Sequence, residues 1–157
     1  MSNIVRRAEE KDVAAIIELL KQVNKVHYDG RPDLFKLATK YTADELREII
    51  ANDQTPVFVC TDENGKVLGH GFCVFQRPEN TNLLQDILTL YIDDICVDEI
   101  ARGLHVGSAI YNHIIEFAKQ NGCYNVNLNV WSCNPGAMKF YEKLGLLPYK
   151  VGMEKIL

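Results

Sequence analysis

Residues 95–108 read Ile95-Cys96-Val97-Asp98-Glu99-Ile100-Ala101-Arg102-Gly103-Leu104-His105-Val106-Gly107-Ser108. An apolar triplet closes a long buried run that opens at Leu84, and a glycine-containing turn follows with no spacer. From Val106 the apolar positions take helical spacing. Val106, Ala109, Ile110, Ile114, Phe117 and Ala118 share one face of a helix over Val106–Gln120, and Gly122 is suited to end it. Beyond it, Tyr124, Val126, Leu128 and Val130 alternate with Asn125, Asn127 and Asn129, the period-two signature of a strand with one apolar face. Strand, helix and strand in this order form a crossover, so Leu84–Val97 and Tyr124–Val130 are expected to run parallel. The turn between the first strand and the helix presents unpaired amides and a helix dipole to one point, which suits a phosphate. An ordinary strand-to-helix turn is the plain alternative, because two glycines make a weak motif.

Working outward, the sequence predicts a short strand at Ile4–Arg6 and an amphipathic helix from Glu9 to Val26, broken by Gly30 and Pro32 within His27–Asp33. Thr42-Ala43-Asp44-Glu45 has the capping-box pattern, with Leu46, Ile49 and Ile50 as the buried stripe behind it. Strands at Pro56–Thr61 and Lys66–Phe75 flank Asp62-Glu63-Asn64-Gly65 and read as a hairpin. Asn134-Pro135 supplies a cap and a first-turn proline for a helix with the stripe Ala137, Phe140, Tyr141 and Leu144, which Gly145 ends. A last strand or hairpin is expected over Leu147–Leu157. The order is β-α-α-β-β-β-α-β-α-β, an α/β fold in one domain spanning 1–157.

Composition narrows the function. The chain has 157 residues, 47% apolar and 24% charged, with 17 Lys+Arg against 21 Asp+Glu, a net charge of −4. Mild acidity argues against nucleic acid as a partner. No apolar run reaches the length of a membrane span and the first residues lack a signal peptide's apolar stretch, so a cytoplasmic protein with no membrane partner is expected. Cys60, Cys73, Cys96, Cys123 and Cys133 form no CxxC pair and stand apart from clustered histidines, so neither a disulfide framework nor a metal site is expected. The span Leu84–Ala101 holds Asp86, Asp93, Asp94, Asp98 and Glu99 with no Lys or Arg, the most one-sided charge segment in the chain.

Ile95-Cys96-Val97, then Arg102 to Gly107, then Asn134 and Ala137, then Phe140-Tyr141-Glu142-Lys143-Leu144-Gly145 resemble, in order and spacing, the GNAT superfamily of acetyl-CoA-dependent N-acetyltransferases. Ile4-Val5-Arg6-Arg7-Ala8 and Asp12 look like the start of that fold. The resemblance implies a mixed sheet of about six to seven strands flanked by about four helices. It implies that amides of Arg102, Gly103, Leu104, His105, Val106, Gly107 and Ser108 cradle the coenzyme A pyrophosphate, with His105 standing where the family usually has glycine. It also implies that Ile95, Cys96 and Val97 pair with the pantetheine arm, that Asn134 and Ala137 contact the coenzyme, and that Tyr141 protonates the departing thiolate. Helix capping accounts for Asn134, and core packing for Tyr141, without any function.

An amine acceptor must shed a proton, and Asp93 and Asp94 are the candidates to take it or to hold the amine. Asp93 shares strand parity with Tyr91, Ile95 and Val97, and Asp94 points oppositely unless a bulge intervenes. His27, Tyr28, Phe35 and Tyr91 are the candidates for the acceptor mouth. His70 and His113 read as structural, and Tyr111, Trp131 and Cys133 as contacts at most. The resulting expectation is direct acetyl transfer from acetyl-CoA to a primary amine in a ternary complex. The acidic strand favours a cationic small molecule: a polyamine, aminoglycoside or amino-acid derivative. A protein N-terminus or lysine is the alternative acceptor, and a non-catalytic acyl-CoA-binding regulatory module the alternative class. Sheet-edge dimers are common in the family, so a homodimer is an open outcome.

Overall fold

Alternating burial selects the strands. Val57 and Val59 face one side of the sheet while Phe58 and Cys60 face the other, all four buried, as expected of an inner strand covered on both faces. The computed structural model describes residues 3–157. It runs β1 (Ile4–Arg7), α1 (Val13–Gly30), α2 (Ala43–Ala51), β2 (Val57–Thr61), β3 (Val67–Gln76), β4 (Thr89–Val97), α3 (Val106–Gln120), β5 (Asn125–Leu128) and α4 (Pro135–Lys143). Single 3-10 turns lie at Glu10–Asp12 and Glu99–Ala101.

The strands form one sheet in the order β1-β2-β3-β4-β5. The first three pairings are antiparallel, and β4 and β5 run parallel through the α3 crossover, from Thr89 against Asn125 to Ile92 against Leu128. Helices α1 and α2 cover one face, where Ile16, Leu20 and Leu46 pack on Val57, Val59 and Phe72. Helix α3 covers the other with Val106, Ile110 and Ile114. Glycine is required on that face. A Cβ on Gly69 would lie 2.8 Å from the Cys96 carbonyl, and one on Gly71 would lie 2.9 Å from Ile110. The bare backbone lets α3 settle directly on β3. Each fully buried isoleucine there contributes about 1.5–3 kcal/mol.

Five strands replace the expected six to seven. Leu147–Leu157 forms no strand and is exposed throughout, because alternation supplies a strand's side chains but not the partner its backbone needs. The apolar residues Leu84, Ile87 and Leu88 stay outside β4, which begins at Thr89 opposite Gln76, and β5 is shorter than Tyr124–Val130. Helix α1 also continues past His27. Gly30 closes it instead of breaking it, and the Arg31 amide caps it by donating to the His27 carbonyl at 2.8 Å. A Cβ on Gly30 would come within 2.8 Å of the Cys133 sulfur, so this glycine admits the loop before α4. That contact gives Cys133 a packing role.

One irregularity positions the site. The β3–β4 register passes from Cys73 opposite Ile92 to Phe72 opposite Asp94, which leaves Asp93 as the extra residue of a bulge. Ile92 before the bulge and Ile95 after it both face α3. Asp93 and Asp94 both face the opposite side, towards α1 and α2. The uninterrupted parity that groups Asp93 with Ile95 and Val97 therefore fails at this point. Asp93 keeps company only with Tyr91.

Candidate active site

Three structures converge where β4 leaves β5. The first is a free strand edge. Strand β5 pairs with β4 only over Thr89–Ile92, so from Asp93 to Val97 the edge of β4 turned away from β3 has no strand partner among the described residues. Ile95, Cys96 and Val97 lie on it, and their outward backbone groups are available to an extended ligand. The Cys96 thiol points to the α1 side, donates to the Leu19 carbonyl at 3.3 Å, and is pushed up to about 12 by burial and then by Asp94.

The second is the turn into α3. Asp98 caps the 3-10 turn by accepting from the Ile100 amide at 3.2 Å, and Gln22 of α1 bonds both Asp98 and the Glu99 amide. Gly103 at φ 84° and His105 at φ 60° then turn the chain through the left-handed region. The first amide of α3 with a helical acceptor is that of Ala109, bonded to the His105 carbonyl at 3.0 Å. Those of Val106, Gly107 and Ser108 precede it with no hydrogen-bond partner among the described residues, and His105 makes no side-chain cap. The imidazole of His105 is exposed, as are Arg102, Gly103 and Leu104. Gly107 has a packing reason as well, since a Cβ there would lie 3.0 Å from the Phe140 ring of α4.

The third is the carboxylate pair. Asp94 lies 3.0 Å from Nε2 of His70, a fully buried side chain on β3. Asp93 accepts from Lys40 Nζ at 2.8 Å and from the Tyr41 hydroxyl at 3.1 Å. Burial works to lower the Lys40 ammonium's pKa, but the hydrogen bond and charge of Asp93 outweigh it and hold the ammonium above its usual value. From α4, the Tyr141 phenol is pushed well above its usual range by burial, then by the charge of Asp94 and by Cys96. From α1, His27 is lowered by burial against the opposing pull of Asp94, with Lys40 adding to the lowering. Side chains from α1, β3, β4 and α4 therefore all sense Asp94.

The mouth is aromatic. The His27 ring stacks on Phe35 at 5.1 Å, and Phe35 meets Trp131 edge-on at 5.1 Å. Tyr28 is half-buried next to His27, and the Tyr91 hydroxyl accepts from Asn129 at 3.3 Å. Asn134 caps α4 by accepting from the Ala137 amide at 3.2 Å. Lys40 and Tyr41, which the sequence reading does not single out, complete the cluster with His70, read there as structural, and Trp131, read there as a contact at most. The signal that could have assigned His70 to the site is a polar ring inside an apolar strand, which must find a partner.

A model of the acetyltransferase (GNAT) family matches residues 13–146. The chain belongs to the GNAT acetyltransferase family. Among its GNAT relatives, the glucosamine 6-phosphate N-acetyltransferase of Trypanosoma brucei brucei is 30% identical over 141 residues, covering 90% of this chain and 86% of that protein. An uncharacterized N-acetyltransferase of Methanocaldococcus jannaschii is 29% identical over 141 residues, and this chain spans 59% of its length. Among solved structures, a mutant of the BH1408 protein from Bacillus halodurans superposes with a TM-score of 0.94 at 28% identity, covering 98% of this chain and 99% of that one. No helix among the described residues is long and apolar enough to cross a membrane.

Proposed function

We propose that this GNAT protein transfers the acetyl group of acetyl-CoA to a primary amine by direct attack within a ternary complex. The observation that carries the reading is the bulge at Asp93, which sets Asp94, held by His70 at 3.0 Å, at the point where β4 loses its strand partner. The unpaired amides of Val106, Gly107 and Ser108 fit a pyrophosphate, and the free edge at Ile95, Cys96 and Val97 fits the amide-bearing pantetheine arm. Backbone and not side chain aims those amides. The outward imidazole of His105 is consistent with a working site and gives no support to a degenerate, regulatory one.

Asp94 accepts the proton that the acceptor nitrogen sheds as its bond to the acyl carbon forms, because a nitrogen so bonded is far more acidic than a free ammonium. The C–S bond breaks, and Tyr141 delivers its proton to the departing thiolate. Holding amine and thioester together supplies much of the acceleration.

Asp93, already neutralised by Lys40, orients the acceptor and is not the main base. His27, Phe35 and Trp131 form a wall suited to a small cationic acceptor such as an amino-sugar or amino-acid derivative. The relatives named glucosamine 6-phosphate and thialysine N-acetyltransferases support a small amine over a protein acceptor. Five free thiols suit the reducing cytoplasm, and a homodimer is the proposed assembly.

The test is thiol release from acetyl-CoA across a panel of amino sugars, aminoglycosides, polyamines, lysine analogues and basic peptides. Turnover is expected with a small amine. Tyr141→Phe is expected to lower kcat by about 10²–10⁴ with acetyl-CoA affinity unchanged. Acetyl-CoA binding without turnover on any amine would leave a sensor, and unchanged kcat in the phenylalanine variant would remove Tyr141 as the acid.

A further inference from the structure

Strand β3 carries a polar ring into the core. His70 is fully buried, on the sheet face that α1 and α2 cover, opposite Val59 of β2 and Cys96 of β4. The Phe72 ring meets it edge-on at 4.9 Å. Burying an imidazole among such neighbours is costly unless its nitrogens are bonded. Nε2 is bonded, at 3.0 Å from Oδ2 of Asp94, whose side chain is only 12% exposed. Nδ1 has no hydrogen-bond partner among the described residues. An apolar side chain would fill the same place with no nitrogen left to satisfy, so packing alone does not account for this ring.

The bonding selects the tautomer. With the proton on Nε2, the ring donates to Asp94 and leaves Nδ1 as a bare lone pair. With the proton on Nδ1, the core would hold an N–H with nothing to accept it, the costlier orphan. The proton therefore sits on Nε2, and Oδ2 of Asp94 is occupied by it. Oδ1 is left as the carboxylate oxygen open to another donor. Asp93 differs in this respect. Its Oδ2 takes both Lys40 and Tyr41, which belong to the irregular segment before α2 and not to the sheet. Among the described residues, only the tie from β3 fixes the Asp94 carboxylate by a side-chain hydrogen bond.

We propose that His70 is a positioning residue for acetyl transfer: its Nε2–H holds Asp94 by Oδ2 and presents Oδ1 to the acceptor nitrogen. The nitrogen's proton passes to Oδ1, and the ring keeps its own. The proposal rests on the reading of Asp94 as the base given above. His70 acts only through Asp94, because a fully buried ring meets no acceptor. A carboxylate on a bulge without such a tie turns freely about its side-chain bonds, and a misplacement of about 1 Å costs roughly 10²-fold in rate. The stranded Nδ1 is then a stability cost kept for the reaction, as expected where a local packing rule is broken beside a site.

Steady-state thiol release with an amine that the parent turns over tests it on three variants. His70→Leu removes the donor, His70→Asn carries an amide that reaches only the level of Nδ1, and His70→Gln carries its amide nitrogen to the level of Nε2. The Leu and Asn variants are expected to lose about 10²-fold in kcat with acetyl-CoA affinity held, and the Gln variant to recover most of that loss. Beside Asp94→Asn, His70→Leu is expected to cost little more, because residues that act as a unit are not additive. Nitrogen NMR of the labelled imidazole reads the tautomer without any turnover, and a proton on Nδ1 overturns the proposal. If the Leu variant fails to fold, the equally polar Asn and Gln pair decides. Equal kcat in that pair, or a Leu loss that persists in full beside Asp94→Asn, overturns the positioning role and leaves His70 structural. A parent that turns over no amine overturns the acetyl-transfer reading and this role with it, whereas an active parent with every variant unchanged overturns the role alone.

Discussion

His105 sits at φ 60° and ψ 25°, in left-handed conformation, immediately before α3. For an L residue that region costs roughly 1–2 kcal/mol, with histidine among the better-tolerated types, so about 1 kcal/mol is the relevant figure. Replacing it with glycine removes that cost but frees the unfolded chain, a loss of about 0.4–1 kcal/mol. The imidazole is exposed and caps nothing, so no contact is lost, and glycine is a better residue than alanine at a helix start. His105→Gly is therefore expected to stabilise by up to about 0.6 kcal/mol, a rise of at most about 2 °C in Tm for a chain of this size. His105→Ala keeps the backbone cost and is expected at or below the parent, which makes the Gly-to-Ala difference the cleaner readout, about 1 kcal/mol. Thermal melts by circular dichroism measure both, and calorimetric titration with acetyl-CoA reads the turn. Affinity is expected to hold or tighten in the glycine variant, because the backbone aims the amides. An alanine variant as stable as the glycine one would refute the backbone account, and a large loss of affinity on removing the imidazole would show that the side chain itself meets the ligand.

Asp94→Asn is expected to reduce kcat by about 10²–10⁴, whereas Asp93→Asn acts mainly on acceptor KM. Steady-state kinetics of the two variants separate base from holder, and equal kcat losses would put both in one role. At the other end of the fold, Arg6 donates to both carboxylate oxygens of Asp12 at 2.8 and 2.9 Å, and Asp12 is buried. Burial works to raise the Asp12 carboxyl, but hydrogen bonds from Arg6 and the Glu9 amide outweigh it and hold the carboxyl below the ordinary 3.8. A depressed carboxyl contributes stability that is fully present above its unfolded value and lost as pH falls through its folded one. Asp12→Asn is accordingly expected to cost about 3 kcal/mol near neutrality, at the lower bound for a broken buried pair because Arg6 is partly exposed. Urea titrations at several pH values follow the gap, which should narrow below pH 3.8. A pH-independent difference would assign the loss to packing.

The unit from β4 through α3 to β5 was legible because its signals are local: a buried run, helical spacing from Val106, then alternation from Tyr124. The cap at Asn134 and the turn at Asn64-Gly65 were legible for the same reason, each being set by neighbours within a few residues. Site residues carried by long-range pairing were not. Lys40 and Tyr41 precede a capping box in an irregular segment, and only the fold brings them 53 and 52 positions along the chain to Asp93. The missing final strand is a failure of the same kind, since alternation over Leu147–Leu157 describes side chains and leaves the backbone's partner unstated.

The bulge at Asp93 shows how much rests on one such non-local fact. Without it, alternation would turn one of the two aspartates towards α3, into a face filled by Ile110 and Ile114, where a carboxylate has no partner. With it, both face one side and divide the labour, Asp93 against Lys40 and Tyr41, Asp94 against His70. Of the three other carboxylates of the acidic span, Asp86 is spent on Arg77 beyond the strand's far end and Asp98 on capping the turn before α3, while Glu99 is exposed on that turn. Of the two aspartates at the bulge, Asp94 is thus the one without a lysine or arginine partner. If acetyl transfer runs as proposed, with Asp94 taking the proton and Asp93 engaged by Lys40, discrimination among amines is expected to fall to the aromatic wall of His27, Phe35 and Trp131.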